Sequence, residues 1–427
     1  MIIEFTVGNY RSFKGRTTFS MVAANLSSKV KILDQQNVTS LEKSIKLVRT
    51  AAIYGANASG KSNFIKAITF MRQFIQNSSK ETQSSEKIPV ENFKLSTVTE
   101  NAPSYFEIVF TAGEVIYRYG FEADTNKVHS EWLYRTSVRE TNLFERNLQT
   151  IEPKNQFKEG KSLETKTREN ALFLSVCAQF NGAISKEVVE CIHDIRVING
   201  IDDMNYRPYT IKQLEGVETK ISILQMLNKF DFGIADISAE SSPVKEGSLP
   251  PNMPEPLVKY LLDNGTTTVV NTFHKKYDNE NNNIGNAVFN LDLNESEGTQ
   301  KAFSMCGPLL DVLNNGKCLI IDELDARLHP IITKQIINLF HDPSINKNNG
   351  QLIFATHDTN LLDNKFFRRD QIWFAEKNIF GETAMYSLVD YKIRNDASFE
   401  KDYIAGKYGA IPFLGNFTQV EVADDAQ

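Results

Sequence analysis

Eight consecutive residues, Gly55-Ala56-Asn57-Ala58-Ser59-Gly60-Lys61-Ser62, have the spacing G-x-x-x-x-G-K-S. A loop of this kind points successive backbone N–H groups at phosphates, brings an ammonium to the terminal ones and offers a hydroxyl to Mg²⁺. The expected ligand is a nucleoside triphosphate. It would be held by Gly55, Asn57, Ala58, Ser59, Gly60, Lys61, Ser62 and the following Asn63, with Lys61 also acting in catalysis and Ser62 on the metal. The loop follows an apolar run, Ala51 to Tyr54, and precedes apolar residues at Phe64, Ile65, Ala67, Ile68, Met71 and Ile75. That periodicity predicts a helix from Asn63 to Phe74, whose N-terminus faces the same phosphates.

Two further strand ends carry reactive groups. Cys318-Leu319-Ile320-Ile321 is a short apolar run ending in Asp322-Glu323, as a buried parallel strand delivers acids to the edge of a sheet. Asp322 is expected to hold Mg²⁺ through its water shell, and Glu323 to sit where a water can be aligned for in-line attack on a γ-phosphate. Taken alone, the same residues could be a solvated acidic turn. Leu352-Ile353-Phe354-Ala355 ends in Thr356-His357-Asp358, where an imidazole can report on a terminal phosphate. Upstream, Glu295-Ser296-Glu297-Gly298-Thr299-Gln300-Lys301 opens an apolar helical segment. Ser296 and Gly298 there make a second anion-binding helix start, although serine at a helix N-cap is common without any ligand.

The elements that must position these residues give an α/β chain. Ile3, Phe5 and Val7 alternate with polar neighbours, Thr17 to Met21 offers a second strand, and alternating segments on either side of Ala112-Gly113 predict a hairpin. Asp370 to Glu376 reads as another strand. Lysines and glutamates between residues 154 and 168 predict a solvated loop, with nucleic-acid contact as the alternative. From Glu169 onward the apolar spacing becomes helical, and Pro243–Pro256 and Asp278–Asn286 read as exposed loops. The expected division is an ATPase lobe at 1–180 with the phosphate loop and hairpins, a mainly helical insert at 181–286, and a second ATPase lobe at 287–427.

A chain of 427 residues with 41% hydrophobic and 23% charged residues is that of a globular protein. The net charge of −6 argues against a coat for nonspecific DNA binding. Cys177, Cys191, Cys306 and Cys318 stand singly, as reduced packing residues do. No stretch is apolar enough to cross a bilayer, and the N-terminus has no cationic leader, so a cytoplasmic location without membrane contact is expected.

In their order, the phosphate loop, the S-x-G motif at 296–298, the acidic pair 322–323, Leu324-Asp325-Ala326 and His357 resemble the ABC-type ATPase heads of the RecF, SMC and OLD-like group. Asn9-Tyr10-Arg11-Ser12-Phe13 is similar to that group's N-F-R-S-F opening. The tail Gly406-Lys407-Tyr408-Gly409-Ala410-Ile411-Pro412 and Leu328-His329-Pro330, with the loop and S-E-G-T, resemble bacterial abortive-infection ATPases of anti-phage operons. Ala58 stands where ABC loops usually have glycine, and E-S-E-G-T where they have L-S-G-G-Q. The resemblance implies a P-loop ABC-type ATPase head with a β-rich N-terminal lobe and a mainly helical insertion, using ATP and Mg²⁺. It implies that Arg11 approaches the nucleotide and that Asp325 joins the catalytic residues; for the family's glutamine that links nucleotide and metal to the helical lobe the candidate is Gln179, with an exposed helix residue as the alternative. It further implies that Ser296, Gly298 and Thr299 complete the site of a second protomer, giving a homodimer around two nucleotides and room for a larger homo-oligomer. The expected role is a slow switch that senses infection and controls a separate effector protein. A RecF-like DNA-repair clamp is the alternative, and a transporter subunit the weakest reading; with 234 positions between Ser62 and Ser296 and no heptad run, an SMC-type arm is excluded.

Overall fold

The computed structural model describes residues 1–41, 45–80, 83, 85–244, 249, 253–394 and 397–412. They form two compact units: residues 3–35, 51–189 and from Thr359 on make one, and residues 1–2, 36–50 and 190–358 make the other.

The unit that holds the phosphate loop is built on a seven-stranded sheet. Its strands lie in the spatial order Thr150–Pro153, Glu140–Asn147, Val128–Thr136, Val115–Ala123, Ser104–Ala112, Ile2–Gly8 and Thr17–Ser20. The predicted hairpin is present, with Ala112 opposite Val115 across a two-residue turn; Gly113 there has φ 56°, the positive φ that such tight turns require. Phe5, Phe106 and Phe121 project from the sheet onto Phe64, Phe70 and Phe74 of the helix Lys61–Asn77, with ring centroids 5.0 to 5.6 Å apart. These aromatic contacts fix the helix that follows the phosphate loop. A second group of strands pairs Thr50–Tyr54 in parallel with Ile372–Lys377, which continues antiparallel into Thr383–Ser387.

The other unit carries a parallel arrangement of Ile195–Asn199, Cys318–Asp322 and Gln351–Ala355, with the middle strand between the other two. Leu319, Ile320, Ile321, Leu352, Ile353 and Phe354 are fully buried, which accounts for the unbroken apolar runs in the sequence. The helices Glu297–Asn315 and Pro330–His341 belong to this unit, the first ended by Gly316 at φ 64° in a left-handed C-terminal position.

Three expectations need correction. Among the described residues the span 181–286 is not mainly helical: beside the helices Ala183–His193, Arg207–Gln213, Val217–Lys229 and Glu255–Asn264 it holds four strands. Ile195–Asn199 joins the parallel strands, while Ile234–Pro243, Thr266–Tyr277 and Asn283–Asn290 form a separate antiparallel sheet. The units accordingly do not divide at residues 180 and 286. The charged stretch 154–168 is only partly a solvated loop, because two short 3₁₀ turns bury Phe157, Gly160, Leu163 and Thr167. Part of the predicted loop Pro243–Pro256 lies outside the described residues.

Candidate functional site

In the first unit the parallel strand Thr50–Tyr54 delivers the chain to Gly55. A β-carbon at Gly55 would lie 2.3 Å from the Ala375 carbonyl, and one at Gly60 (φ 113°) 2.3 Å from Thr383 Oγ1. Both glycines are therefore demanded by close approach, and Gly60 also by its positive φ. Ala58 has φ 61°. A left-handed backbone costs an L-residue roughly 1–2 kcal/mol, so the alanine that replaces the usual glycine keeps the glycine's conformation at a cost. Lys61 is buried and its Nζ donates to the carbonyls of Gly55, at 2.8 Å, and Ala56, at 3.1 Å. The ammonium is thereby held back over the loop that it must serve. Asn57 and Ala58 are exposed, Ser62 and Asn63 half-buried, and Ser59 Oγ is buried without a hydrogen-bond partner among the described residues.

A brace that the motif does not show supports this loop. Thr383 Oγ1 donates to the Ser59 carbonyl at 2.8 Å and lies 2.8 Å from Ser12 Oγ, which also accepts from Asn63 Nδ2 at 2.8 Å. The Asn9–Phe13 segment thus holds the loop through Ser12. Its neighbour Arg11 (φ 49°) pairs with Glu91 at 2.6 Å. Gln179 is a correction as a metal ligand. It ends the helix Phe173–Gln179, which is tied at Ser175 to the carbonyl of Ile75. Helix rise puts Ile75 about 20 Å from Ser62, too far for one cation to bind both Ser62 and Gln179.

In the second unit, Asp322, Glu323, Asp325 and His357 come together at the carboxyl ends of the parallel strands, the edge where such sheets bind ligands. Asp322 Oδ1 is buried with no hydrogen-bond partner among the described residues. An orphaned buried carboxylate oxygen fits a hard cation such as Mg²⁺. Glu323 has φ 57° and Arg327 φ 59°, so the turn carrying the expected base is strained at both ends. It is held by Leu324 N–H on the Ala355 carbonyl at 3.1 Å and by Gly200 N–H on the Asp322 carbonyl at 2.7 Å. Gly200 comes so close that a β-carbon on it would meet the Glu323 carbonyl at 2.1 Å. Asp325 Oδ2 accepts from the His357 main-chain N–H at 3.4 Å, and its Oδ1 is buried without a hydrogen-bond partner among the described residues.

Ser296 caps the helix Glu297–Asn315, its Oγ accepting from Thr299 N–H at 3.2 Å and lying 2.9 Å from Thr299 Oγ1. A β-carbon at Gly298 would be 2.9 Å from the Arg327 carbonyl, so this glycine lets the helix start approach the acidic turn. The preceding Glu295 accepts from His274 Nε2 at 2.7 Å and from Thr272 Oγ1, which anchors the loop to the strand Thr266–Tyr277. Lys301 is fully buried, and its Nζ donates to the carbonyls of Glu323, Leu324 and Ala326 at 3.3, 2.9 and 2.6 Å. Burial, and secondarily the Arg327 charge, push its pKa down to about 8. Asp203 receives Arg207, Arg327 at 2.8 Å and Ser304 Oγ at 2.9 Å. Burial raises its carboxyl, but those three donors outweigh burial and hold it below the usual range. Sequence reading gave no role to Gly200, Lys301, Asp203, Arg207, Ser12 or Thr383. A signal existed for Lys301, a cation in register with the buried Met305 and Leu309 on the helix's apolar face.

Residues 51–363 match a family model described as "AAA domain, putative AbiEii toxin, Type IV TA system". No curated protein matches the chain. The chain is similar to an Smc head bound to the C-winged helix domain of ScpA, at 13% identity over 90% of this chain and 97% of that one, TM-score 0.45. It is also similar to an SMC head domain from Thermotoga maritima, at 11% identity over 90% and 98%, TM-score 0.41. A third such structure is the recombination mediator RecF, at 12% identity over 90% and 98%, TM-score 0.35. The family match runs over most of the sequence, and the chain belongs to this AAA-domain, P-loop ATPase family.

Proposed function

We propose that the protein binds ATP with Mg²⁺, hydrolyses it, and uses the cycle as a switch between a closed homodimer and an open form. The observation that carries this reading is the phosphate loop itself: glycines at the two closest approaches, a left-handed residue 58, and a lysine poised on the loop's own carbonyls. Magnesium-bound ATP would supply a charge-neutralised γ-phosphoryl group open to in-line attack. The chain's part is to hold and to orient. Lys61 would exchange two carbonyls for phosphate oxygens, Ser59, Gly60 and Ser62 would present N–H groups at the start of the helix Lys61–Asn77, and the cation would be held by the Ser62 hydroxyl and, through its water shell, by Asp322. Glu323 takes the proton of the attacking water, and Asp325 and His357 stand beside it. Ser296, Gly298 and Thr299 serve the nucleotide of a second protomer, so closure requires two copies.

The family description names a putative AbiEii toxin and a type IV toxin–antitoxin system; within such a setting our reading of this chain is a sensor or regulator ATPase of an abortive-infection system that acts on a separate effector. The RecF-like alternative has less support. Three of the five cations of its basic stretch already have partners within the chain, Lys154 on Glu152, Lys166 over the Phe180 ring and Arg168 on the Ser78 carbonyl, while Lys158 and Lys161 are exposed.

The experiment is turnover and light scattering with ATP. Lys61→Ala is expected to lose nucleotide binding, Glu323→Gln to bind ATP and persist as a dimer, and Ser296→Arg to bind ATP as a monomer. A Glu323→Gln protein that hydrolyses ATP like the parent removes the base assignment. Full turnover by monomeric Ser296→Arg removes the shared-site scheme. Expression of the chain alone and with its operon partners tests the switch role, since growth arrest by the chain alone contradicts a separate effector.

A further inference from the structure

Within the second unit, the turn that carries Glu323 and the helix that begins at the Ser296–Gly298 loop are joined at three successive points. Gly298 backs against the Arg327 carbonyl. Lys301, one turn further on, reaches the carbonyls of Glu323, Leu324 and Ala326. Ser304, almost one turn beyond that, bonds Asp203, which holds the Arg327 side chain. The turn itself has two residues in the left-handed region, a conformation that persists only where the surroundings over-determine it. Lys301 is the central restraint, and its partners are main-chain carbonyls of that turn. A buried ammonium is an expensive way to fill space, and an apolar side chain of its length would pack at lower cost. What the ammonium adds is three directed bonds to one strained turn.

We infer that Lys301 is a positioning residue for Glu323, transmitting engagement of the Ser296–Gly298 loop to the turn that carries the general base. The inference rests on the ATP reading above and deepens it. A protomer whose helix start is seated on its partner's nucleotide thereby sets the base that acts on its own, and the two ATP sites fire together rather than independently.

The test uses the full chain and compares the parent with Lys301→Met, which keeps length and removes the donors. Expected are a melting temperature within about 5 °C of the parent, unchanged ATP affinity in the Glu323→Gln background, and a KM within about threefold. Against these, kcat should fall at least tenfold and the Hill coefficient for ATP should drop to one. A folded Lys301→Met protein with parental kcat and Hill coefficient overturns the inference. If that variant fails to fold, hydrogen exchange on the other proteins decides. Amides of residues 323–327 are expected to gain protection when the parent binds a non-hydrolysable ATP analogue, and not to gain it in Ser296→Arg. Equal protection in both overturns the proposal. A parent protein with no ATP turnover at all is a different failure, visible without any variant, and it removes the ATP reading together with this inference.

Discussion

Gly200→Ala should separate nucleotide binding from hydrolysis. The glycine follows the strand Ile195–Asn199, and its N–H donates to the Asp322 carbonyl at 2.7 Å. An added β-carbon would lie 2.1 Å from the Glu323 carbonyl oxygen and 2.8 Å from that of Asp322. Backbone oxygen cannot swing aside as a side chain can, so the turn must retreat by about 1 Å in a region packed at crystal-like density. Overpacking of this size costs about 1–3 kcal/mol. Displacement of a catalytic group by about 1 Å can lower a rate on the order of 100-fold. The phosphate loop belongs to the other unit and has no part in the clash, so affinity for ATP should hold. The assay is steady-state phosphate release with calorimetric ATP binding, and Gly15→Ala serves as a control because its β-carbon would meet only Glu382 Oε1 at 3.6 Å. The expected result is a kcat near one hundredth of the parent's, with binding changed less than about threefold. A kcat within about threefold of the parent's in a folded protein would refute the claim that this turn sets the base.

Three other outcomes are expected. At φ 61°, Ala58→Gly should leave ATP affinity within about twofold, since relief of left-handed strain is offset by glycine's unfolded-state entropy, whereas the β-branched Ala58→Val should weaken ATP binding at least about tenfold by calorimetry. Thr383→Val leaves the buried Ser59 carbonyl without its 2.8 Å donor and should lower unfolding free energy in urea by about 1–3 kcal/mol, weakening ATP binding with it. His341 is buried against Thr50 Oγ1 at 2.8 Å, and burial pushes its pKa from 6.5 down to about 3. Below pH 6.5 the unfolded chain binds a proton that the folded chain refuses, so the stability present above that pH is lost as pH falls toward 3. Between pH 7 and pH 5 the loss from this residue is about 2 kcal/mol, and His341→Gln should show a correspondingly smaller drop in urea midpoint over that interval.

What could be read from the sequence was chemistry made by neighbours in the chain. The phosphate loop is eight consecutive residues whose shape is set mostly by their own backbone, so its spacing carried the local geometry. Asp322 and His357 were legible for a related reason: a buried parallel strand leaves an apolar run in the sequence, and the residue after the run lies at the sheet edge. The strands of 181–286 were missed because their alternation is diluted. Asn283–Asn290 is largely exposed on both faces and Ile234–Pro243 loses its apolar residues halfway, although the β-branched run Thr266–Val270 was a usable sign. Gln179 was misplaced for the opposite reason, since a helical pattern fixes the element but not the end of a neighbouring helix against which it packs.

The residues that hold the site steady come from elsewhere in the chain. Ser59 receives its donor from Thr383, the Glu323 turn is closed by Gly200, and Lys301 crosses from a different helix. Each replaces something a consecutive motif cannot supply, because a loop with residue 58 at φ 61° or a turn with residue 323 at φ 57° is strained in isolation. The restraint must then come from groups that the tertiary fold brings in. A motif read from sequence therefore names the atoms proposed to touch a nucleotide, while the conformation they are held in depends on residues with no local signature. Two proteins with the same eight-residue loop can differ in turnover for this reason. The second-unit contacts at Gly200 and Lys301 are where such a difference would arise in this family member.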